Sequence, residues 1–319
     1  MKRVFLFITF VLLLSVDSSD AQSQHRGRGK RQGERQQSYG DALYATADDG
    51  TPLKWKVFPG AGPGPHPAVL VIHGGHFAST PASPNMWQAA RAAAAAGFNA
   101  FLVDYRLAAE GRLPGQKSLG QYPDQTNDLK KAVRAARAYP GGNGKVGAIG
   151  GSAGASHAVY LAATGAKGDD RLDAAVGFSG AYDLVALESL GHRNIQRKVE
   201  GYVGSSSTEA ARKASPVTYI DATVSPLYII ASDNETMPPE QMPSLIRQLQ
   251  AVGATNFKQL LRKNSQRHAF GNWPEVSAEV LDFLKRELDA PGSAARSSGT
   301  QSRNEARVSS RWALRLRRS

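Results

Sequence analysis

The 319 residues contain no cysteine. That excludes disulfides, thiolate metal sites and redox chemistry at sulfur. A core of about 250 residues is large enough to be stable without crosslinks. Nor does any apolar run reach the roughly 20 residues that a membrane-spanning helix needs. The longest, Val4 to Leu14, covers 11 residues, with Lys2 and Arg3 before it and polar residues up to Ala21 behind it. A charged start, a short apolar stretch and a small residue at its polar end predict a signal peptide over 1–21, hence export to the periplasm or beyond the cell, with no stable membrane anchor. There is no internal repeat.

Negative charge is scarce overall, but only at the ends. Of the net +12, residues 1–38 hold seven Lys/Arg against three Asp/Glu, and 290–319 hold seven against one, which leaves +2 for 39–289. Segments 22–38 and 290–319 lack large apolar residues except around Trp312 and read as disordered basic tails. A basic balance confined to low-complexity ends does not predict a folded nucleic-acid surface, and none is expected.

Between the tails, apolar stretches of about five residues alternate with helical periodicity, the pattern of a mostly parallel α/β sheet. Strands are expected at 53–58, paired in an antiparallel hairpin with the region near Tyr44, and at 68–72, 99–103, 145–149, 174–178, 226–231 and 257–261. Helices are expected at 86–96, 124–139, 155–163, 239–252 and 275–288. The pattern predicts one domain over 39–289. The stretch 180–217 has no strand signal and one helix, Asn194 to Val203, and sits where a short cap can be inserted.

The most informative segment is Gly150-Gly151-Ser152-Ala153-Gly154. It joins the strand 145–149 to the helix 155–163, so a tight turn carries the serine out of the sheet with its hydroxyl exposed. The glycines are needed where a Cβ would clash. The Ala153 amide then points at the space before the hydroxyl, at the positive end of a helix. A serine hydroxyl needs a base to take its proton, and the base needs an acid to orient it. Outside the serine's own helix only His192 and His268 follow it. His268 lies after a strand's C-terminal end, whereas His192 falls in the cap. Asp233, after the strand 226–231, is favoured as the acid, with Asp183 and Glu235 as competitors. His73-Gly74-Gly75-His76-Phe77 follows the strand 68–72 and supplies backbone amides for an oxyanion. No acidic residue is spaced to join His73 and His76 on zinc.

Taken with Asp104-Tyr105-Arg106-Leu107, Tyr122-Pro123-Asp124 and Asp128, these motifs resemble the α/β-hydrolase superfamily over about 40–289. More narrowly they resemble its HGG-type esterases and lipases, the hormone-sensitive-lipase-like and feruloyl-esterase-like carboxylesterases. The resemblance implies an α/β-hydrolase fold with flanking helices and hydrolysis of a small or medium ester through an acyl-enzyme, without metal or cofactor. It places the nucleophile, acid and base on Ser152, Asp233 and His268, and the oxyanion donors on the amides of Gly74 or Gly75 and Ala153. Residues 104–107 are expected to be structural. Two positions depart from the pattern. His76 replaces the third glycine of the oxyanion loop, and the loop from Asp233 to Pro238 is a residue longer than expected, which leaves Asp233 and Glu235 both open as the acid. A peptidase or amidase would use the same residues, and a binding protein on an inactive hydrolase fold is the non-enzymatic alternative.

Overall fold

The computed structural model describes residues 40–288 except 82, 109–111 and 190–192. The expected signal peptide, both basic tails and His192 lie outside the described residues. Eight strands form one sheet: β1 (Asp41–Thr46), β2 (Pro52–Phe58), β3 (His66–Ile72), β4 (Asn99–Val103), β5 (Gly142–Gly151), β6 (Ala174–Phe178), β7 (Leu227–Ser232) and β8 (Phe257–Arg262). Their order is β1-β2-β4-β3-β5-β6-β7-β8. β1 and β2 form the antiparallel hairpin expected near Tyr44, β2 pairs antiparallel with β4, and all remaining pairs are parallel. Every residue of β3, β4 and β6 is buried. This explains why they read as unbroken apolar runs: helices cover both faces.

One face carries α1 (Pro84–Ala95) and α8 (Trp273–Glu287), and the other α2 (Asp124–Arg137), α3 (Ala153–Ala163) and α7 (Gln241–Ala251). α1 begins where Ser83 accepts from the Met86 amide at 3.3 Å with Pro84 in the first turn, a combination that satisfies one orphan amide and removes another. α2 buries Leu129, Ala132, Val133 and Ala136, one stripe at helical spacing.

The 180–217 segment folds as three helices, α4 (Leu184–Ser189), α5 (Arg193–Val203) and α6 (Thr208–Ala214). Only α5 was expected; α4 and α6 have six and seven residues, too short for a periodic signal. Their apolar residues, with Val199, Tyr202 and Val203 of α5, form a separate cluster with Phe77 and Ala153. The three helices therefore pack directly on the loop after β3 and on the start of α3.

Chain order reverses direction between β3 and β5, since β4 lies on one side of β3 and β5 on the other. At such a switch point the loops leaving the carboxyl ends of the strands diverge and open a crevice. Beneath that crevice Arg106, after β4, grips Asp128 of α2. Its backbone amide and Nε donate to Oδ2 at 3.0 and 2.8 Å, and Nη2 donates to Oδ1 at 2.8 Å. The Arg106 side chain is 2% exposed and that of Asp128 0%. The residues 104–107 thus have the structural role expected of them. Arg106 also faces Asp124 at 3.3 Å and Asp49 at 3.7 Å, so losing Asp128 leaves its charge partly compensated and costs up to about 3–5 kcal/mol. Asp128→Asn is expected to lose stability on that scale, read from the urea midpoint by circular dichroism, with part recovered when Arg106→Met is added.

Candidate active site

Ser152 sits between β5 and α3 with φ 55° and ψ −122°. A non-glycine residue there carries strain of about 1–3 kcal/mol, held only if its surroundings force it. They do so by leaving no room. A Cβ on Gly150 would fall 2.1 Å from the Gly154 carbonyl oxygen, and one on Gly154 would fall 2.2 Å from that of Ile72 and 2.5 Å from that of His73. The Ser152 amide donates to the Phe178 carbonyl at 2.9 Å, tying the turn to β6. The Ala153 amide opens α3, among the first-turn donors a helix leaves unpaired.

The loop after β3 is wound as tightly. Gly75, His76 and Phe77 have φ of 95°, 55° and 65°, three successive left-handed residues. His76, in place of the third glycine, adopts the left-handed backbone all the same. A Cβ on Gly74 would lie 2.9 Å from that of Ser152, so this glycine brings the loop backbone against the nucleophile turn. The Phe77 carbonyl accepts from Ala108 N at 2.9 Å and Gln125 Nε2 at 2.7 Å. Gln125 in turn accepts from His157 Nε2 at 3.0 Å. Phe77 stacks on Tyr202 of α5 at 3.9 Å.

His268 follows β8 and its Nδ1 lies 2.6 Å from Glu235 Oε2. The Glu235 side chain is 1% exposed and that of His268 31%. The other carboxylate oxygen of Glu235 accepts from the Ser179 hydroxyl and the Ser232 amide, both at 2.8 Å. The Ser179 hydroxyl also accepts from the Ala269 amide at 3.0 Å. One serine, itself left-handed at φ 54°, therefore joins Glu235 to the residue after His268.

Asp233 is not in this arrangement. β7 extends to Ser232, and the Asp233 amide still bonds the Arg262 carbonyl of β8 at 3.1 Å. The Asp233 side chain is exposed and accepts from the Ser265 amide at 3.2 Å. The carboxylate facing His268 is that of Glu235, two residues later and after the turn. Asp183 caps α4, accepting from Ala186 N at 3.0 Å, and bonds Ser244 at 2.8 Å. Ser179, Gln125 and His157 had no signal in the sequence beyond a polar residue in a turn or helix.

Ser152, Ala153 and His268 face one cavity, closed by Phe77, Leu187 and Val199 and by Thr236 to Pro238. Its volume is about 130 Å³, below the roughly 300–1,000 Å³ of pockets for drug-sized ligands. It suits a short acyl group.

Comparison with known proteins agrees with this architecture. Residues 57–249 match the model of the BD-FAE family, and the chain belongs to that family, with an α/β-hydrolase fold. Over 191 residues it is 29% identical to the probable carboxylic ester hydrolase LipM of Mycobacterium tuberculosis, an alignment covering 54% of this chain and 40% of LipM. The chain thus spans less than half the length of that relative. Among solved structures, the thermophilic esterase Est2 of the Planctomycetes species Thermogutta terrifontis superposes with a TM-score of 0.62 at 19% identity, over 80% of this chain and 94% of that one. A truncated carbohydrate esterase from gut microbiota gives 0.64 at 16% identity, over 80% and 98%.

Two further histidines are buried beside the site. Burial pushes the His73 imidazole down to about 4 and that of His157 to about 3. His73 Nδ1 bonds the Gly74 carbonyl at 2.8 Å and its ring stacks on Tyr105, so both rings are neutral packing groups. Unfolded, each would take up a proton near pH 6.5. Between that pH and about 4 the unfolded chain binds more protons, so stability rises with pH in this window and is lost as pH falls through it. The urea midpoint should drop from pH 6.5 to 4.5, and the ring proton resonances of His73 and His157 should not titrate above pH 5.5.

Proposed function

We propose that this protein is a serine carboxylic-ester hydrolase for short acyl esters, with Ser152 as nucleophile, His268 as base and Glu235 as acid. The observation that carries the reading is the 2.6 Å contact from His268 Nδ1 to a buried carboxylate, facing a cavity shared with a serine on a left-handed turn. Because a carboxylate only accepts, Nδ1 keeps its proton and Nε2 is left free to take one. His268 removes the Ser152 hydroxyl proton as the oxygen attacks the ester carbonyl. The amides of Ala153 and of Gly74 or Gly75 hold the oxyanion, and each such donor contributes about 3 kcal/mol to lowering the barrier. Collapse expels the alcohol with the proton from His268. Water, deprotonated by the same imidazole, then releases the acid from Ser152. Glu235 stays ionised and stabilises the imidazolium.

Short acyl groups fit the small cavity. LipM is named as a probable carboxylic ester hydrolase, and Est2 is an esterase solved with propionate or butyrate bound and phosphonylated by sarin. Residues 1–21 are proposed to direct export, which places this hydrolysis outside the cytoplasm.

p-Nitrophenyl esters from acetate to palmitate test the proposal. Turnover should be greatest for the shortest chains and vanish in Ser152→Ala. Glu235→Gln should lower kcat by about 10⁴-fold, the effect of misorienting a triad base, while Asp233→Asn stays within about twofold because an exposed carboxylate outside the site affects neither base nor nucleophile. Loss in Asp233→Asn with retention in Glu235→Gln would reverse the assignment of the acid.

A further inference from the structure

The mouth of the cavity is chemically one-sided. Asn194, Ile195, Lys198 and Val199 line it from α5, and His76 lines it from the oxyanion loop. Among the described residues that line it there is no aspartate or glutamate; Glu235 lies behind His268, with both its oxygens engaged. Lys198 is exposed and has no carboxylate partner among the described residues. The site that would hold an ester thus has a fixed positive charge at its rim and, among the described residues, no carboxylate beside it.

We infer that the ester this site takes carries a carboxylate near the scissile bond, and that Lys198 recognises it. The inference rests on the serine-esterase reading above. The chemistry favours it twice over. A carboxylate on the substrate adds to the negative charge that builds on the carbonyl oxygen during attack, so a neutral site would disfavour such an ester; a cation at the rim offsets that repulsion. An ammonium without a carboxylate partner also gives a neutral ester little in return for displacing its water, whereas an anion replaces that water with an ion pair. His76 adds a donor on the same side. Its imidazole is held below the usual range by burial first, then by the charges of Lys198 and His268, which means that these three groups lie within electrostatic reach of one another around the opening.

The carboxylate could belong to the acyl group or to the alcohol, and paired substrates separate these cases. Monomethyl succinate against methyl butyrate places it on the acyl side. Acetylglycolate against ethyl acetate places it on the alcohol side. Hydrolysis by the full chain is followed by pH-stat, and kcat/KM for the anionic ester is divided by that of its neutral partner. In one pair or both, this ratio should fall by about fivefold in Lys198→Met, the scale of an exposed ion pair. It should be kept in Lys198→Arg, fall further in Lys198→Glu, and shrink in the parent protein as salt is raised. The pair that responds identifies the side. Equal ratios in the parent and in Lys198→Met for both pairs would overturn the proposal while leaving the esterase reading intact, since neutral esters would still be cleaved in a Ser152-dependent way. A folded protein that cleaves neither member of either pair would overturn both.

Discussion

Contact between backbones at the end of β5 governs this molecule. Gly154 in the first turn of α3 lies against the carbonyls of Ile72 and His73 so closely that a single carbon would not fit. That approach seats the helix on the carboxyl end of β3, forces Ser152 into the left-handed region, and brings the β3 loop within reach of the serine. The strain at Ser152, His76 and Phe77 is the cost of this convergence, and it is met by the large buried sheet behind it. The three helices inserted after β6 then complete the crevice by packing on Phe77 and Ala153, so cover and nucleophile turn share one hydrophobic cluster.

The polar side of the site is organised by sharing rather than by isolated pairs. Glu235 divides its oxygens between His268 and a pair of donors, Ser179 just after β6 and Ser232 of β7. Ser179 divides its hydroxyl between Glu235 and the loop that carries His268. On the opposite wall, Gln125 spans His157 and two carbonyls, those of Phe77 and Gly120. These are buried groups with their hydrogen bonds satisfied, the condition under which a polar network fixes one geometry.

The sheet was legible in the residues because its central strands are buried on both faces and therefore apolar without interruption. Gly150 to Gly154 and His73 to Gly75 were legible because glycine is the only residue that fits there. Asp233 and Glu235 stayed open as partners of His268, although the structure pairs it with Glu235, and the reason is specific. Ser232, Asp233 and Asn234 are all small polar residues, so nothing local marks β7 as ending at Ser232. Glu235 is held inward in part by the Ser179 hydroxyl just after β6, 56 residues away in sequence. Ser179 itself resembles any turn serine, and only its partners give it meaning. The cover segment was located by its lack of strand pattern, but two of its helices are too short to show a period.

The loop after β7 brings out a different consequence. Here a carboxylate three residues beyond the end of β7, on a side chain one methylene longer than aspartate, meets the imidazole at 2.6 Å. Chain length and side-chain length act as interchangeable units of reach. An insertion in this loop need not destroy the pairing, provided that the acid moves along the chain and changes size with it. The residue that faces the base is therefore set by a distance to be spanned, and its sequence position is free to drift while that distance is kept.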